Sequence, residues 1–356
     1  FAIALQIRAN HYQMTYFMLL FLLIFGFVQV LEHYKNTELK DLYTKVGVLA
    51  AAGILALGLN ATALMATSEY AKFSTRGKSE LTLSATGKPV EIRSGLSYDY
   101  ITEYSYGVFE SLNLIIPRIQ GGGSGEDLGT SSELYEYLVK EGVSKQQAKG
   151  FSENAPTYWG DQPILEAPAY VGVVVVFLAL LALFLSWNNN KRWLLFGIIL
   201  SLTLSWGKNF SFLTQFFIDY VPMYTKFRAV SSIQVILELA FPVLATVGLY
   251  EYFQASKKVR NKALIITAFS FLGLGLFLLI IKGLHSFVGV SDSYYKQVFG
   301  AEIMQQVYYA RKAIYTEDIN RLFLFVILTG GTLLAFTYNK LKANVALGIV
   351  FLLMLI

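Results

Sequence analysis

The sequence predicts an all-α polytopic membrane protein with about eight transmembrane helices and a roughly 100-residue α+β loop domain on the extracytoplasmic side. Three observations support this. Of the 356 residues, 55% are hydrophobic and only 15% are charged, with a mean hydropathy of +0.49, whereas a soluble domain has about 25% charged residues. The apolar residues are gathered into runs near the ~20 residues that cross a bilayer core. Basic residues lie in alternate connections between those runs.

The same composition excludes several other classes of protein. The high apolar content excludes a disordered chain, and the absence of cysteine excludes a disulfide scaffold. The net charge of +5 does not indicate nucleic acid, because in a membrane protein the distribution of Lys and Arg among the loops matters more than their sum. We therefore expect membrane lipids and no nucleic acid as partners.

The long apolar runs give the order of the predicted spans. They cover 12–32, 47–66, 168–187, 193–207, 229–250, 262–282, 320–338 and a last span, cut off by the end of the sequence, that begins at 343. The predicted organisation is 1–66 with an outer edge and two spans, the extracytoplasmic loop domain 67–167, and the bundle 168–356 with outer loops 208–228 and 283–319. Since the sequence opens on Phe1 and closes inside an apolar run, we expect an internal fragment of a longer protein.

Orientation follows from the basic residues beside the spans, which are expected on the cytoplasmic side. They are Lys35, Lys40, Lys45, Lys191, Arg192, Lys257, Lys258, Arg260, Lys262, Lys340 and Lys342. Arg311, Lys312 and Arg321 oppose this orientation, and the four basic connections outweigh them. The large loop is therefore predicted to be extracytoplasmic.

Local patterns predict the structure of that loop. Residues 81–83 and 90–92 flank a turn and predict a short hairpin. The glycine-rich residues 121–125 predict a flexible loop, with a backbone nest for phosphate as the alternative. Two helices follow, because Ser, a residue favoured at the N-cap, precedes each helical pattern. The predicted helix starts are Ser131 or Ser132, before Glu133, and Ser144, which forms a capping box with Gln147.

Three polar residues lie within predicted spans. Glu238 is about midway along the fifth span, one turn after Gln234, and Asn60 lies in the second. Polar groups are costly in a bilayer, so each either lines a cavity or forms a structural hydrogen bond between helices. For Asn60 the structural interpretation is preferred more strongly.

The second outer loop concentrates cations and aromatic residues. Lys208 and Asn209 precede a Phe-rich stretch, and Lys226 and Arg228 follow it after Pro222. The stretch predicts a helix lying in the membrane interface, and its predicted buried face is Phe212, Leu213, Phe216 and Phe217. Cations at headgroup level suit a lipid-linked phosphate, although snorkelling toward headgroups is the alternative.

Arg8 and His11 lie at the start of the first span, also on the outer side. His11 can bind phosphate or carry a proton, or it can simply contact headgroups. A solitary His without further ligands at suitable spacing does not indicate a metal site, so no metal and no cofactor are predicted.

Two carboxylates of the large loop lie beside aromatic residues. Glu110 follows Phe109, and Asp161 and Gln162 follow Trp159. Such groupings are common in sugar recognition, while an interfacial aromatic belt is the alternative. We treat Glu110, Trp159, Asp161 and Gln162 as candidate sugar or acceptor contacts.

Four stretches resemble the YfhO family of bacterial membrane proteins, in particular long members from Bacteroidetes. They are Gln6 to Tyr16, Tyr104 to Gly122, Tyr158 to Pro163 and, most specifically, Ser205 to Ser232, which reads SWGKNFSFLTQFFIDYVPMYTKFRAVSS. The family is similar to GT-C glycosyltransferases, whose active site faces the outer side and whose donors are polyprenyl-phosphate sugars. The resemblance implies a GT-C-like fold in the bacterial inner (cytoplasmic) membrane.

The resemblance also implies a function. We expect a sugar to pass from a polyprenyl-phosphate donor to a cell-envelope polymer, with Arg8, His11, Lys208, Asn209, Lys226 and Arg228 binding the lipid phosphate. GT-C enzymes typically place the catalytic carboxylate in an earlier outer loop, so the general base is expected upstream of this sequence, with Glu110 and Asp161 as weak candidates. A transporter or flippase of a lipid-linked saccharide and a non-catalytic scaffold subunit are the alternatives.

Overall fold

The computed structural model describes residues 1–35, 39–77, 87 and 95–356, which are mostly helical. Five short 3-10 helices supplement the α-helices: Phe109–Leu114, Gly207–Phe210, Tyr224–Lys226, Val230–Gln234 and Lys282–Leu284. The α-helices are α1 (Ala2–Arg8), α2 (Tyr12–Lys35), α3 (Leu39–Leu59), α4 (Ala61–Lys72), α5 (Tyr98–Ile101), α6 (Glu133–Lys140), α7 (Lys145–Ser152), α8 (Val173–Leu185), α9 (Asn189–Ser205), α10 (Ser211–Tyr220), α11 (Val235–Gln254), α12 (Lys257–Ile281), α13 (Asp292–Phe299), α14 (Ala301–Thr337) and α15 (Ala343–Leu355).

The chain is an all-α membrane protein with fewer long spans than the sequence predicts. Among the described residues, five helices are long and apolar enough to cross a membrane: Tyr12–Lys35, Lys40–Leu59, Val230–Gln254, Lys257–Leu284 and Ala301–Thr337. The other three predicted spans correspond to α8, α9 and α15, which have 13, 17 and 13 residues. At 1.5 Å per residue α8 and α9 fall short of the ~30 Å hydrocarbon core. The prediction of about eight spans is therefore not supported.

The chain divides into two compact units. Unit 1 consists of Phe1–Ser105 and Arg192–Leu237, and unit 2 of Tyr106–Lys191 and Glu238–Ile356. In unit 1, the predicted span 47–66 is interrupted at Asn60, which separates α3 from α4. The Asn60 Nδ2 atom donates to the carbonyl oxygens of Ala4 and Ala56, at 3.1 and 2.9 Å. The Asn60 amide thus joins α3 to α1, as the structural interpretation predicts.

Helix α8 forms the centre of unit 2. It packs against α12, α14 and α15, and most of its side chains are buried, with Phe177, Leu178, Leu181 and Ala182 fully so. A helix that is apolar on every face is buried either among other helices or in a membrane. Its composition resembles that of a lipid-facing span, which is why the sequence pattern did not distinguish the two.

Helix α14 is one continuous helix of 37 residues. Its length of about 55 Å exceeds the ~30 Å of a bilayer core. The second half coincides with the predicted span 320–338, but residues 301–319 were predicted as part of an outer loop. They are helical because no proline interrupts them and because several of their side chains, including Met304 and Val307, are buried.

The described part of the large loop is helical. Ser132 caps α6 by accepting a hydrogen bond from the Tyr135 amide at 3.3 Å, and Ser144 caps α7 through the Gln147 amide at 3.3 Å, which confirms both predicted helix starts. The two helices pack on α14 around an apolar cluster of Leu134, Leu138, Ala148, Ala155, Met304 and Val307. The described residues contain no β-strand, only one isolated bridge between Glu126 and Ala155. The predicted hairpin lies outside the described residues, so the α+β prediction is not supported.

The glycine-rich residues 121–125 are packed rather than open. Gly121 has φ +92°, and a Cβ atom there would lie 1.8 Å from the Thr157 carbonyl oxygen, so only glycine fits. The Gly123 amide donates to the Glu126 carboxylate at 3.0 Å. Because a carboxylate of the chain already accepts this amide hydrogen bond, the segment does not form a vacant phosphate nest.

Candidate functional site

Residues 222–229 of unit 1 carry two of the predicted phosphate-binding cations in a strained backbone. Met223 (φ 66°) and Ala229 (φ 57°) both adopt the left-handed conformation although neither is glycine. Such a conformation costs about 1–3 kcal/mol per residue and persists only where the surrounding structure imposes it. Strain of this kind is concentrated at functional sites, which makes this segment a candidate site.

Several segments of unit 1 hold this backbone through its carbonyl oxygens. Gln13 of α2 donates to the Arg228 carbonyl at 2.7 Å, and the Tyr16 hydroxyl donates to the Pro222 carbonyl at 3.0 Å. From the chain around residue 95, the Leu96 amide donates to the Thr225 carbonyl at 2.9 Å. Gly95, at φ +111°, lies so close that a Cβ atom would be 2.6 Å from the Thr225 hydroxyl. These contacts fix the segment from two sides.

Arg228 is held by two tyrosine rings. Its Nη1 atom donates to the Tyr100 hydroxyl, and its Cζ atom lies 4.9 Å from the centroid of the Tyr100 ring and 5.6 Å from that of Tyr104. The side chain is half-buried, and Tyr100 provides its only hydrogen bond within the described residues. A guanidinium has five N–H donors in a planar fork, so most of the donors can still bind a phosphate.

Lys226 is used differently. Its Nζ atom donates to the Arg76 carbonyl at 2.7 Å, while the Arg76 Nε atom donates to the Lys226 carbonyl at 2.9 Å. This reciprocal pair connects the segment to the residues just after the end of α4. Lys226 therefore has a structural partner, whereas Arg228 presents donors beyond its contact with Tyr100.

Lys208 is linked to Arg228 through two adjacent residues. The Lys208 amide donates to the Ser105 hydroxyl at 2.9 Å, and the Tyr104 carbonyl accepts from the Ser231 amide at 3.3 Å. Since Arg228 also contacts the Tyr104 ring, residues 104–105 join the two cation-bearing segments. The side chains of Lys208 and Asn209 are exposed.

The structure does not give Arg8 and His11 a comparable role. Both are exposed at the end of α1 and in the turn before α2, and neither side chain has a hydrogen-bond partner in the described parts of the chain. Gln13, two residues after His11, bonds to the Arg228 carbonyl. This places the backbone beside His11 near the Arg228 segment, and the predicted phosphate contacts of Arg8 and His11 stay predictions.

Helix α10 exposes an aromatic stripe. Phe212, Phe216 and Tyr220 follow one another at i, i+4 spacing and are 80%, 48% and 73% exposed. Phe217 instead packs inward, with its ring centroid 5.4 Å from that of Tyr224. The four residues predicted to share one face thus divide between two adjacent rows of the helix. A groove of about 470 Å³ runs along the outer row, and its lining includes Tyr98, Gln215 and Asp219.

The second predicted group, in unit 2, is centred on Glu110, which is fully buried. Its Oε1 atom accepts from the Tyr158 hydroxyl at 2.6 Å and from Gln162 Nε2 at 3.0 Å, and its Oε2 atom accepts from the Gly107 amide at 2.8 Å. Burial raises the pKa of the Glu110 carboxyl, against the effect of these donors. Since both oxygens are engaged and inaccessible, the arrangement favours a positioning role.

Asp161 and Trp159 lie in the same turn as Gln162. Asp161 is exposed, and Trp159 is half-buried. The Trp159 ring lies 5.6 Å from His285 and 6.3 Å from Phe109 between centroids. Sequence reasoning missed His285, because its proximity to Trp159 depends on contacts far apart in sequence. The structure thus brings Glu110 and Gln162 together and leaves Asp161 as the accessible carboxylate of this group.

The two remaining polar candidates, Gln234 and Glu238, have different surroundings. The Gln234 side chain is buried, and its Nε2 atom donates to the Ser205 hydroxyl at 3.3 Å, which is a structural hydrogen bond. Glu238 is exposed on α11, and no hydrogen-bond partner for its side chain is found in the described residues.

The most elaborate buried contact was also missed from the sequence. Arg311 is fully buried and forms a bidentate ion pair with Asp292, at 2.6 and 2.8 Å. It also donates to the carbonyl oxygens of Pro156, Thr157, Tyr158 and Phe287. The sequence showed Arg311 only as a cation on the unexpected side of the membrane, and no spacing rule connects it to Asp292.

Comparisons with protein-family models, with curated proteins and with solved structures find no match to this chain. The resemblance to the YfhO family therefore stays a prediction that depends on the four stretches quoted above. The geometry around Arg228 and Glu110 supports a proposed function independently of that resemblance.

Proposed function

We propose that this chain is a membrane glycosyltransferase of GT-C type, which transfers a sugar from a polyprenyl-phosphate donor to a cell-envelope acceptor. The proposal places it in the bacterial cytoplasmic membrane, with residues 67–167, 208–228 and 283–319 on the outer side. The observation that carries it is the setting of Arg228, whose guanidinium is held against two tyrosine rings by a strained segment. The sugar-transfer step rests on the family resemblance.

Arg228 has the properties expected of a phosphate ligand. A guanidinium remains charged at any physiological pH and can form two parallel hydrogen bonds to phosphate oxygens. The Tyr100 and Tyr104 rings cover part of it, which reduces the side-chain entropy lost on binding. The exposed Lys208 adds a second positive charge on a segment that hydrogen bonds to Ser105.

The neighbouring helix α10 supports a lipid rather than a soluble phosphate. Tyr98, which lines the groove along α10, belongs to the same single turn of helix as Tyr100. Exposed Phe and Tyr residues on one row of a short helix are typical of a helix lying in the membrane interface. A phosphate bound at Arg228 would therefore be close to a surface suited to hydrocarbon.

In the proposed reaction, the acceptor hydroxyl oxygen bonds to the anomeric carbon while the bond from that carbon to the donor phosphate oxygen breaks. The acceptor proton passes to a general base, and the phosphate leaves with an added negative charge. Arg228 and Lys208 would stabilise this charge as it develops, which lowers the barrier because the donors are already in place.

The test is binding of polyprenyl phosphate to the purified protein, followed by sugar transfer in membranes. We expect Arg228→Gln to weaken binding by about 10- to 100-fold, the value of a hydrogen bond to a charged group. Arg228→Lys should lose less, since it keeps the charge without the fork. Lys145→Gln, an exposed cation of α7, is the matched control. Unchanged binding and transfer in both Arg228→Gln and Lys208→Gln would refute the proposal.

A further inference from the structure

One end of unit 2 carries a concentration of positive charge that the proposed function does not use. Six cations lie at the start of α12 and just after the end of α14, and we call them the basic patch: Lys257, Lys258, Arg260, Lys262, Lys340 and Lys342. Residues 252–264 and 333–346 contain no acidic residue. The preceding carboxylate, Glu251, is already paired with the buried Lys191. The positive charge of the basic patch is therefore not compensated by these segments.

Contacts between α12 and the end of α14 hold the basic patch together. The Lys257 Nζ atom lies 4.2 Å from the centroid of the Tyr338 ring, and the Arg260 Cζ atom lies 4.8 Å from that of Phe336. Asn261 Nδ2 also donates to the Tyr338 hydroxyl at 3.3 Å. Because two cations stack on rings of the neighbouring helix, the basic patch is an organised surface. Four lysines, Lys258, Lys262, Lys340 and Lys342, are exposed around it.

The helix ends add to the positive potential. The first turn of α12 contains no acidic residue, and the side chain of its N-cap, Ser256, makes no capping hydrogen bond. The N-terminal end of a helix carries a partial positive charge. Cations beside it are therefore unfavourable, and a bound anion relieves this repulsion. The start of α15 has the same character, with Lys342 as an N-cap without a capping bond and no acid in the first turn.

We propose that the basic patch binds the phosphate headgroup of an anionic phospholipid. The location selects a lipid over a soluble anion, because the patch lies at the ends of two apolar helices that are long enough to span a membrane. Headgroup phosphates occupy that level, and clusters of Lys and Arg immediately beyond a membrane helix attract anionic lipids. This proposal is independent of the glycosyltransferase proposal, since it involves none of the same residues.

The experiment measures the lipids that the full chain retains. The protein is reconstituted in vesicles of equimolar phosphatidylglycerol and phosphatidylcholine and extracted in mild detergent, and mass spectrometry quantifies the retained lipid. The test variant combines Lys258→Gln, Lys262→Gln, Lys340→Gln and Lys342→Gln. The control combines Lys140→Gln, Lys145→Gln, Lys149→Gln and Lys296→Gln, which removes the same charge from exposed positions elsewhere.

We expect the wild-type chain and the control to enrich phosphatidylglycerol. In the test variant this enrichment should be at least tenfold lower, since each cation contributes about fivefold to the affinity for an anionic lipid. Equal enrichment in test variant and control would overturn the proposal. Wild-type protein alone provides a second measurement, because raising the salt from about 50 to 500 mM should reduce retained phosphatidylglycerol but not phosphatidylcholine. Insensitivity to salt, or displacement of the lipid by micromolar glycerol phosphate, would count against a lipid site.

Discussion

Arg311 donates from all three of its guanidinium nitrogens to partners in two segments of unit 2, residues 156–158 and 287–292. We expect Arg311→Met to lower the free energy of unfolding by about 3–5 kcal/mol, because it leaves Asp292 buried and unpaired. The free energy of unfolding of Arg311→Lys should lie between those of the wild-type chain and Arg311→Met, since an ammonium has only three donors. Thermal unfolding of the detergent-solubilised protein measures both. Lys312→Gln, an exposed neighbour, should have little effect, and a wild-type melting temperature for Arg311→Met would show that the ion pair does not stabilise unit 2.

Glu110 gives a pH dependence whose sign follows from its burial. Burial raises its pKa in the folded chain, so between the ordinary and the raised pKa the folded chain binds more protons than the unfolded chain. The contribution of Glu110 to stability is therefore full at low pH and is lost as the pH rises through this window.

Glu110→Gln should remove that slope while lowering stability throughout, because the Gln amide would face the Gly107 amide donor. Melting temperatures of both proteins between about pH 4 and 8 provide the measurement. Parallel pH curves for the two proteins would contradict the raised pKa.

At the scale of the elements, the packing of α6 against α14 is the easiest contact to test. Leu134 is 1% exposed within the cluster that joins them. Leu134→Ala should destabilise unit 2 by about 2–5 kcal/mol through lost burial and a remaining cavity. Limited proteolysis should then cut α6 and α7 faster than in the wild-type chain. Leu284→Ala, at a position 83% exposed, is the matched control, and equal cleavage of the two variants would argue against this packing.

Sequence reasoning predicted elements well where the cause is local. The N-caps Ser132 and Ser144 act on amides three residues away, so the pattern contains the whole interaction. It predicted less well where the cause is tertiary. Helix α8 resembles a membrane span but is enclosed by other helices, and the ion pair of Arg311 with Asp292 joins separate helices. In the candidate site, the cations were predictable by composition, whereas the two tyrosines that hold Arg228 were not.

At the scale of the whole molecule, we expect the two ends of the helix bundle of unit 2 to lie on opposite sides of a membrane. The chain contains no cysteine, so single cysteines can be labelled without background. We expect a membrane-impermeant maleimide to label Lys140→Cys and Lys342→Cys from opposite sides, and Leu324→Cys, on the apolar half of α14, from neither. Right-side-out and inverted vesicles compared in parallel give the answer. Labelling of the first two variants from the same side would refute the proposed topology.

The contacts of Arg311 also have a consequence for biosynthesis. The guanidinium bonds to carbonyl groups as far as 155 residues earlier in the chain, so residues 156–158 cannot reach their final arrangement until Arg311 has been synthesised. At about 5–20 residues per second this delay is roughly 10–30 s. During that time the carbonyls of 156–158 must be solvated or shielded by the insertion machinery. The contacts of residues 156–158 with Arg311 can therefore form only after α12 and α13 have been synthesised.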